Sequence, residues 1–334
     1  MKNIQKEVKK IATIGIMGCF ILFLFINYPF NYSNVNPSPE IPKVSPTPYA
    51  TPITITTTQP TIPPTSIPTT ISPNYQVGLT TKQFTYILNG VSHTVSLQMY
   101  SGIVNELSSK KSPVACWRKS GDTSPCNLQE MEQYYLAYMN EPIQEKEIDH
   151  LVSIIKNQTS NRNDQAKIAI RLVQNLDYDT EKSKLNSVTI RYPYQTLYDK
   201  MGICSEKSLL LAELLDKLGF DTVIFHFEPE SHAAVGVKCD PKYAYKETGY
   251  CFIESTVPSM ITDSSNDYIG VGKLTSTPVI YHISSGSTLS EIEEEYKDTL
   301  NWYRIKSLGK ILDDKNYSEW KALVKKYGIK LSSS

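Results

Sequence analysis

The feature that most limits what this chain can build is a proline-rich tract. Prolines recur from Pro37 to Pro73, with Thr or Ser between most of them. Residues 31–75 carry too little apolar surface to fold and favour extended polyproline II, reaching roughly 140 Å at about 3.1 Å per residue. Compact folding is left to residues 76–334. Before the tract, Lys2, Lys6, Lys9 and Lys10 precede an uncharged run from Ile11 to Tyr28. As a helix that run rises about 27 Å, near a hydrocarbon thickness of about 30 Å. No basic residue follows until Lys43, a bias that puts the N-terminus inside. The expectation is a cytoplasmic tail at 1–10, a transmembrane anchor at 11–30, a disordered stalk at 31–75 and an extracytoplasmic domain at 76–334. That describes a single-pass cell-membrane protein with its globular part outside. A cleaved signal peptide is the rival, although Asn27-Tyr28-Pro29 is no small-x-small cleavage site. A lipid anchor on Cys19, after Ile16-Met17-Gly18, is a weaker one. Sequons at Asn31, Asn157 and Asn316 accord with an exported surface.

Basic and acidic residues balance at 34 each. With no basic excess and no nucleic-acid-reading motif, a nucleic-acid partner is not expected. No CxxC pair, HExxH or phosphate-binding glycine loop is present, so no cofactor or metal is expected. Cys116 and Cys126 bracket one polar loop, and Cys239 and Cys251 bracket another. Two local disulfides would leave Cys204 as the unpaired cysteine of the folded part. The alternative is that all are reduced and buried.

Apolar alternation flanks Asn89-Gly90, with Phe84, Tyr86 and Leu88 before it and Val91, Val95 and Leu97 after. This predicts a β-hairpin with a two-residue turn. Helices are predicted over 128–138 and 145–156, with a third capped by Asn163. Leu210, Leu211, Leu214, Leu215 and Leu218 form the apolar face of a helix closed by Gly219. Strands follow at 222–227, 232–238 and 250–255, and two helices at 289–304 and 318–327. The class is α+β, one helix packed across an antiparallel sheet, with extra helices at both ends.

Cys204 falls at the first turn of the Leu-rich helix, where unpaired N–H groups and the helix dipole favour a thiolate. His232 opens a strand just after a turn and can present its ring at the sheet edge. Glu254, sharing a face with Tyr250 and Phe252, can hold that imidazole in one orientation. Singly, a cysteine on a Leu-rich helix is packing, a strand histidine is structural and a strand-end acid is solvated.

Their order, however, resembles a known family. Tyr192-Pro193 through Thr196-Leu197, Gly202-Ile203-Cys204, the Leu-rich helix ending Leu218-Gly219-Phe220, His232-Ala-Ala-Val-Gly-Val237 and Phe252-Ile-Glu254-Ser-Thr256 follow in sequence. This is similar to the transglutaminase-like superfamily, especially its prokaryotic cysteine-peptidase-like branch, with the core at about 165–258. The resemblance implies a papain-like α+β core with Cys204 as nucleophile, His232 as general base and acid, and Glu254 as orienting acid. Many relatives carry acids just before and after the cysteine; here Ile203 and Ser205 stand there, and an acid returns at Glu206. Gln195 is a candidate oxyanion donor, its amide beside the backbone N–H of Cys204.

One conflict is visible. Pairing Cys239 directly with Cys251 would set His232 opposite Pro258, about 13 Å along the strands from Glu254. Both the triad and that bridge then require Cys239 to leave the strand.

The functional expectation is a cysteine enzyme acting on amide bonds of a protein or cell-wall peptide through a thioester, by hydrolysis or by acyl transfer. The alternative is a non-catalytic surface-binding module on the same fold.

Overall fold

The computed structural model describes residues 75–116, 124–185, 189–264 and 272–330, all within the compact unit Ile67–Ser334. The chain opens with a hairpin, β1 (Leu79–Leu88) and β2 (Val91–Tyr100), in full antiparallel register. Asn89 and Gly90 have φ of 51° and 76°. Positive φ at both turn positions is the geometry that matches strand twist, and it is why Asn-Gly stands there. Helices α1 (Ser101–Ser109), α2 (Leu128–Met139), α3 (Pro142–Gln158) and α4 (Arg162–Gln174) follow. A short pair of strands, β3 (Asp177–Tyr178) and β4 (Met201–Gly202), surrounds α5 (Thr180–Ser183) and α6 (Pro193–Asp199).

The centre is α7 (Cys204–Lys217), buried along nearly its whole length. It packs on an antiparallel sheet of β5 (Thr222–Phe227), β6 (His232–Lys238), β7 (Tyr250–Ile253) and β8 (Val279–Ser284), in the order β7-β6-β5-β8. The α7 side of the sheet carries Ile224, Val235, Val237 and Ile253 against Leu211 and Leu215. The other side holds a separate aromatic cluster of Phe225, Phe227, Tyr245 and Phe252. Burial on both faces explains why β5 and β6 read as continuous apolar runs rather than as clean alternations. Helices α8 (Glu293–Ser307) and α9 (Asp314–Tyr327) close the fold. The latter reaches the hairpin, where Gly90 N–H donates to Lys326 O at 3.1 Å.

The α+β class therefore stands. Two local expectations change. Helix α4 is capped by Asn161, whose side chain accepts from the N–H groups of Asn163 and Asp164. Asn163 turns instead to Ser290. Strand β7 stops at Ile253, because Glu254 turns into a segment bound by α4 rather than by β6.

The expected membrane localisation is corrected. Among the described residues no helix is long and apolar enough to cross a membrane. The longest, α3, has 17 residues and carries Glu145, Lys146, Glu147 and Asp149. The tail, the run at 11–30 and nearly all of the stalk lie outside the described residues.

Candidate active site

Cys204 is the first residue of α7 and is 9% exposed. The helix starts there because Glu206, at its third position, folds back to accept the N–H of Ile203 at 3.0 Å. Glu206 is wholly buried and also accepts from the Arg191 backbone at 2.7 Å and from its guanidinium at 2.9 Å, and pairs with Lys182. Arg191 in turn bonds Asp179 at 2.8 Å and Asp199 at 3.0 Å. This cluster ties the stretch between β3 and α6 to the helix start. The Cys204 Sγ lies 3.9 Å from the carbonyl of Ser231, the residue before His232.

His232 and Glu254 are 1% and 0% exposed, with Nε2 and Oε2 3.0 Å apart. The second carboxylate oxygen, Oε1, accepts from Thr256 N–H at 2.8 Å and Thr256 Oγ1 at 2.6 Å. Burial acts most strongly on the imidazole and disfavours its charge. The Glu254 carboxylate and then the neighbouring Cys204 outweigh it, and His232 is pushed up to about 10. Burial likewise disfavours ionised Glu254, yet His232 and Thr256 hold it below the usual glutamate value. His232 is therefore held in its protonated form at neutral pH, with the Glu254 carboxylate on one side and the Cys204 sulfur on the other.

The register resolves the conflict between triad and bridge. β6 and β7 pair Val235 with Ile253 and Val237 with Cys251. Continuing that register sets Glu254 opposite Ala234 and Cys239 opposite Gly249, whose carbonyl accepts the Cys239 N–H at 3.2 Å. His232–Glu254 and Cys239–Cys251 are both diagonal pairs, each two residues from direct opposition, a distance long side chains span. The Cys239–Cys251 disulfide forms with Cα atoms 5.7 Å apart, and Cys239 lies one residue past the end of β6, bridged to Leu289, which meets the expectation that it leaves the strand. Cys116 and Cys126 are also bonded, and Cys204 is the free cysteine among the described residues.

Gln195 is not brought to the site. Its amide donates to Ser108 Oγ at 2.9 Å, and its carbonyl accepts the Tyr192 N–H at 3.0 Å, so it caps α6 and ties it to α1. It is set aside as an oxyanion donor. Two tyrosines lie within electrostatic reach of Cys204. Tyr135 of α2 is raised by burial, then by Tyr281, whose ring centroid is 5.5 Å away, and by Cys204. Tyr178 is pushed up to about 12 by burial and then by Cys204. His226 is lowered by burial and is close enough to feel His232. The turn before His232 is clamped by Glu230, which accepts from the N–H groups of Thr275 and Ser276 at 2.8 and 2.9 Å. Cys116, Cys126 and Glu130 also lie together, but both sulfurs are in the disulfide and are no metal ligands.

Sequence reading missed Tyr135, Tyr178 and the buried Lys207. The first two are distant in sequence from every motif. Lys207 had a signal, a lysine on the buried side of a Leu-rich helix.

Residues 146–245 match the family described as a transglutaminase-like domain. The resemblance read from the motifs is thereby shown over a stretch that contains Cys204 and His232 and ends before Glu254. No curated protein matches the chain. Among solved structures, a match is found to one from Cytophaga hutchinsonii described as a "putative cysteine protease". It is 16% identical, covers 42% of this chain and has a TM-score of 0.24. The chain spans about half (49%) of that structure's length.

Proposed function

We propose that this transglutaminase-like chain is a cysteine enzyme acting on an amide bond of a peptide substrate. The observation that carries the reading is one imidazole, His232, set between Glu254 and Cys204 in a buried site. Cys204 Sγ attacks the carbonyl carbon and forms the S–C bond, with the thiol proton on His232. The backbone N–H of Cys204, at the helix start, faces the developing oxyanion. His232 then gives its proton to the nitrogen as the C–N bond breaks, and the amine leaves a thioester on Cys204. Water completes hydrolysis, or a second amine completes acyl transfer. Glu254 keeps the ring oriented and stabilises its charge without itself taking the proton.

The burial of Cys204 is the observation that favours the alternative, a module that keeps the fold for binding. Intact-mass analysis of residues 76–334 after exposure to a peptidyl electrophile separates the two. The enzyme reading expects a single adduct on Cys204, lost in Cys204→Ala and slowed in His232→Ala. Absence of any adduct on folded protein would leave the binding reading.

A further inference from the structure

Three residues after Cys204, α7 buries a lysine completely. Lys207 is 0% exposed, and its Nζ meets three backbone carbonyls: Leu176 at 2.7 Å, Thr256 at 2.8 Å and Gln174 at 3.4 Å. Burying an ammonium is costly unless hydrogen bonds satisfy it, and these three carbonyls do so where no carboxylate among the described residues bonds it. What this one holds is specific. Thr256 is the residue whose N–H and hydroxyl both bind Glu254 Oε1.

The next residue continues the pattern. Ser208 Oγ bonds the carbonyl of Ala233, beside His232, at 3.1 Å, and the hydroxyl of Ser255, beside Glu254, at 2.9 Å. Within two turns, one helix thus presents the thiol and grips the chain next to both of the other two members. Gln174 adds a bond from its amide to Glu254 O at 2.8 Å. Its own oxygen is held by Arg171, which pairs with Glu295 of α8.

We propose that Lys207 is a positioning residue for this site: its ammonium grips the Thr256 carbonyl and so sets the Glu254 carboxylate against His232. The proposal rests on the reading of Cys204 as the nucleophile. The charged groups that face Lys207 are Glu254, Asp177 of β3 and Lys330 beyond α9, with His232 on the far side of Glu254. Burial acts most strongly and lowers Lys207 to about 7, against the pull of Glu254. The grip is therefore strongest below neutral pH and weakens as the ammonium loses its proton.

The test reads the rate of Cys204 alkylation by iodoacetamide from pH 5 to 9, needing no substrate. Lys207→Met and Lys207→Gln should slow it about tenfold at pH 6, the cost of one lost buried charge-assisted bond, and shift its acid limb upward. Lys207→Arg should restore most of the rate. Melting curves accompany each variant, since a purely structural role would lower stability without moving the limb. If Lys207→Gln matches the unaltered protein in rate and limb, the ammonium has no positioning role. If His232→Ala alkylates as fast as the unaltered protein, the cysteine-enzyme reading itself falls, whatever the lysine variants do. A second measurement avoids substitution. Hydrogen exchange at the Thr256 amide, corrected for intrinsic rate, should lose protection as pH rises from 6 to 9. Unchanged protection would overturn the proposal.

Discussion

Two glutamates in the core, Glu254 and Glu213, are 0% and 1% exposed, yet their carboxyl groups are driven in opposite directions. Glu254 sits against an imidazolium, an N–H and a hydroxyl, and is held low. Glu213 lies nine residues along α7 from Cys204, and neither of its oxygens has a hydrogen-bond partner among the described residues. Burial raises it well above the ordinary glutamate value, and Lys217 only partly opposes that. Burial is the same in both cases, so it does not decide the charge; the partners do. The difference separates a carboxylate held as an anion by a polar network from a carboxyl whose charge burial disfavours.

The largest test of that contrast is kinetic. Glu254→Gln should leave the domain folded and lower turnover by about 10⁴-fold, by analogy with the orienting acid of serine enzymes. Glu213→Gln should stay within about twofold, the change expected when no reacting group is touched. Equal losses measured as kcat/KM would erase the distinction.

A second test asks whether the bridge or the network holds Glu254. Cys239→Ser with Cys251→Ser opens a loop closed across 12 residues. Urea unfolding should show a loss of about 3 kcal/mol. Alkylation of Cys204 should change less than about threefold, because Glu254 is bound by Thr256 and His232 rather than by the disulfide. A large fall in alkylation would assign the bridge a part in the site.

Stability against pH distinguishes the two acids directly. Glu213, raised in the fold, is protonated there while the unfolded chain ionises above about pH 4.5. Its contribution is complete below that pH and declines as pH rises toward the folded value. Glu254, lowered in the fold, contributes above about pH 4.5 and loses that contribution as pH falls. Glu213→Met should raise stability by about 2 kcal/mol at pH 7 and flatten the decline above pH 4.5. Denaturant midpoints at pH 5 and pH 8 measure this; an unchanged slope would place a partner on Glu213. A milder loss than for Glu254→Gln is expected for Thr256→Val, which removes one hydroxyl from Glu254 and should lower the alkylation rate by about threefold to tenfold.

Much of the fold was legible because its signals are local. Asn89-Gly90 dictates its own turn, and the Leu-rich face from Leu210 to Leu218 dictates a helix whose start presents Cys204. What escaped depends on partners far along the chain. Helix α6 is set by Gln195 reaching α1, and β8 has meaning only beside β5. The register of β6 on β7 lies midway between the two pairings that sequence spacing could weigh, because cross-strand pairs are satisfied diagonally as well as directly. The burial of Lys207 had a signal in the Leu-rich face, but its partners are backbone carbonyls, which no side-chain pattern reveals.

The bond from Gly90 to Lys326 also has a bearing on time. The hairpin emerges ahead of the other described strands and helices, but the helix it meets is made roughly 240 residues later, a delay of about 10–50 s at ordinary elongation rates. Throughout that interval one flank of β1 has no α9 to rest on. The polar residues along β1 and β2, Thr80, Lys82, Gln83, Ser92, Thr94 and Ser96 among them, suit a strand pair that must wait in water without sticking to its neighbours.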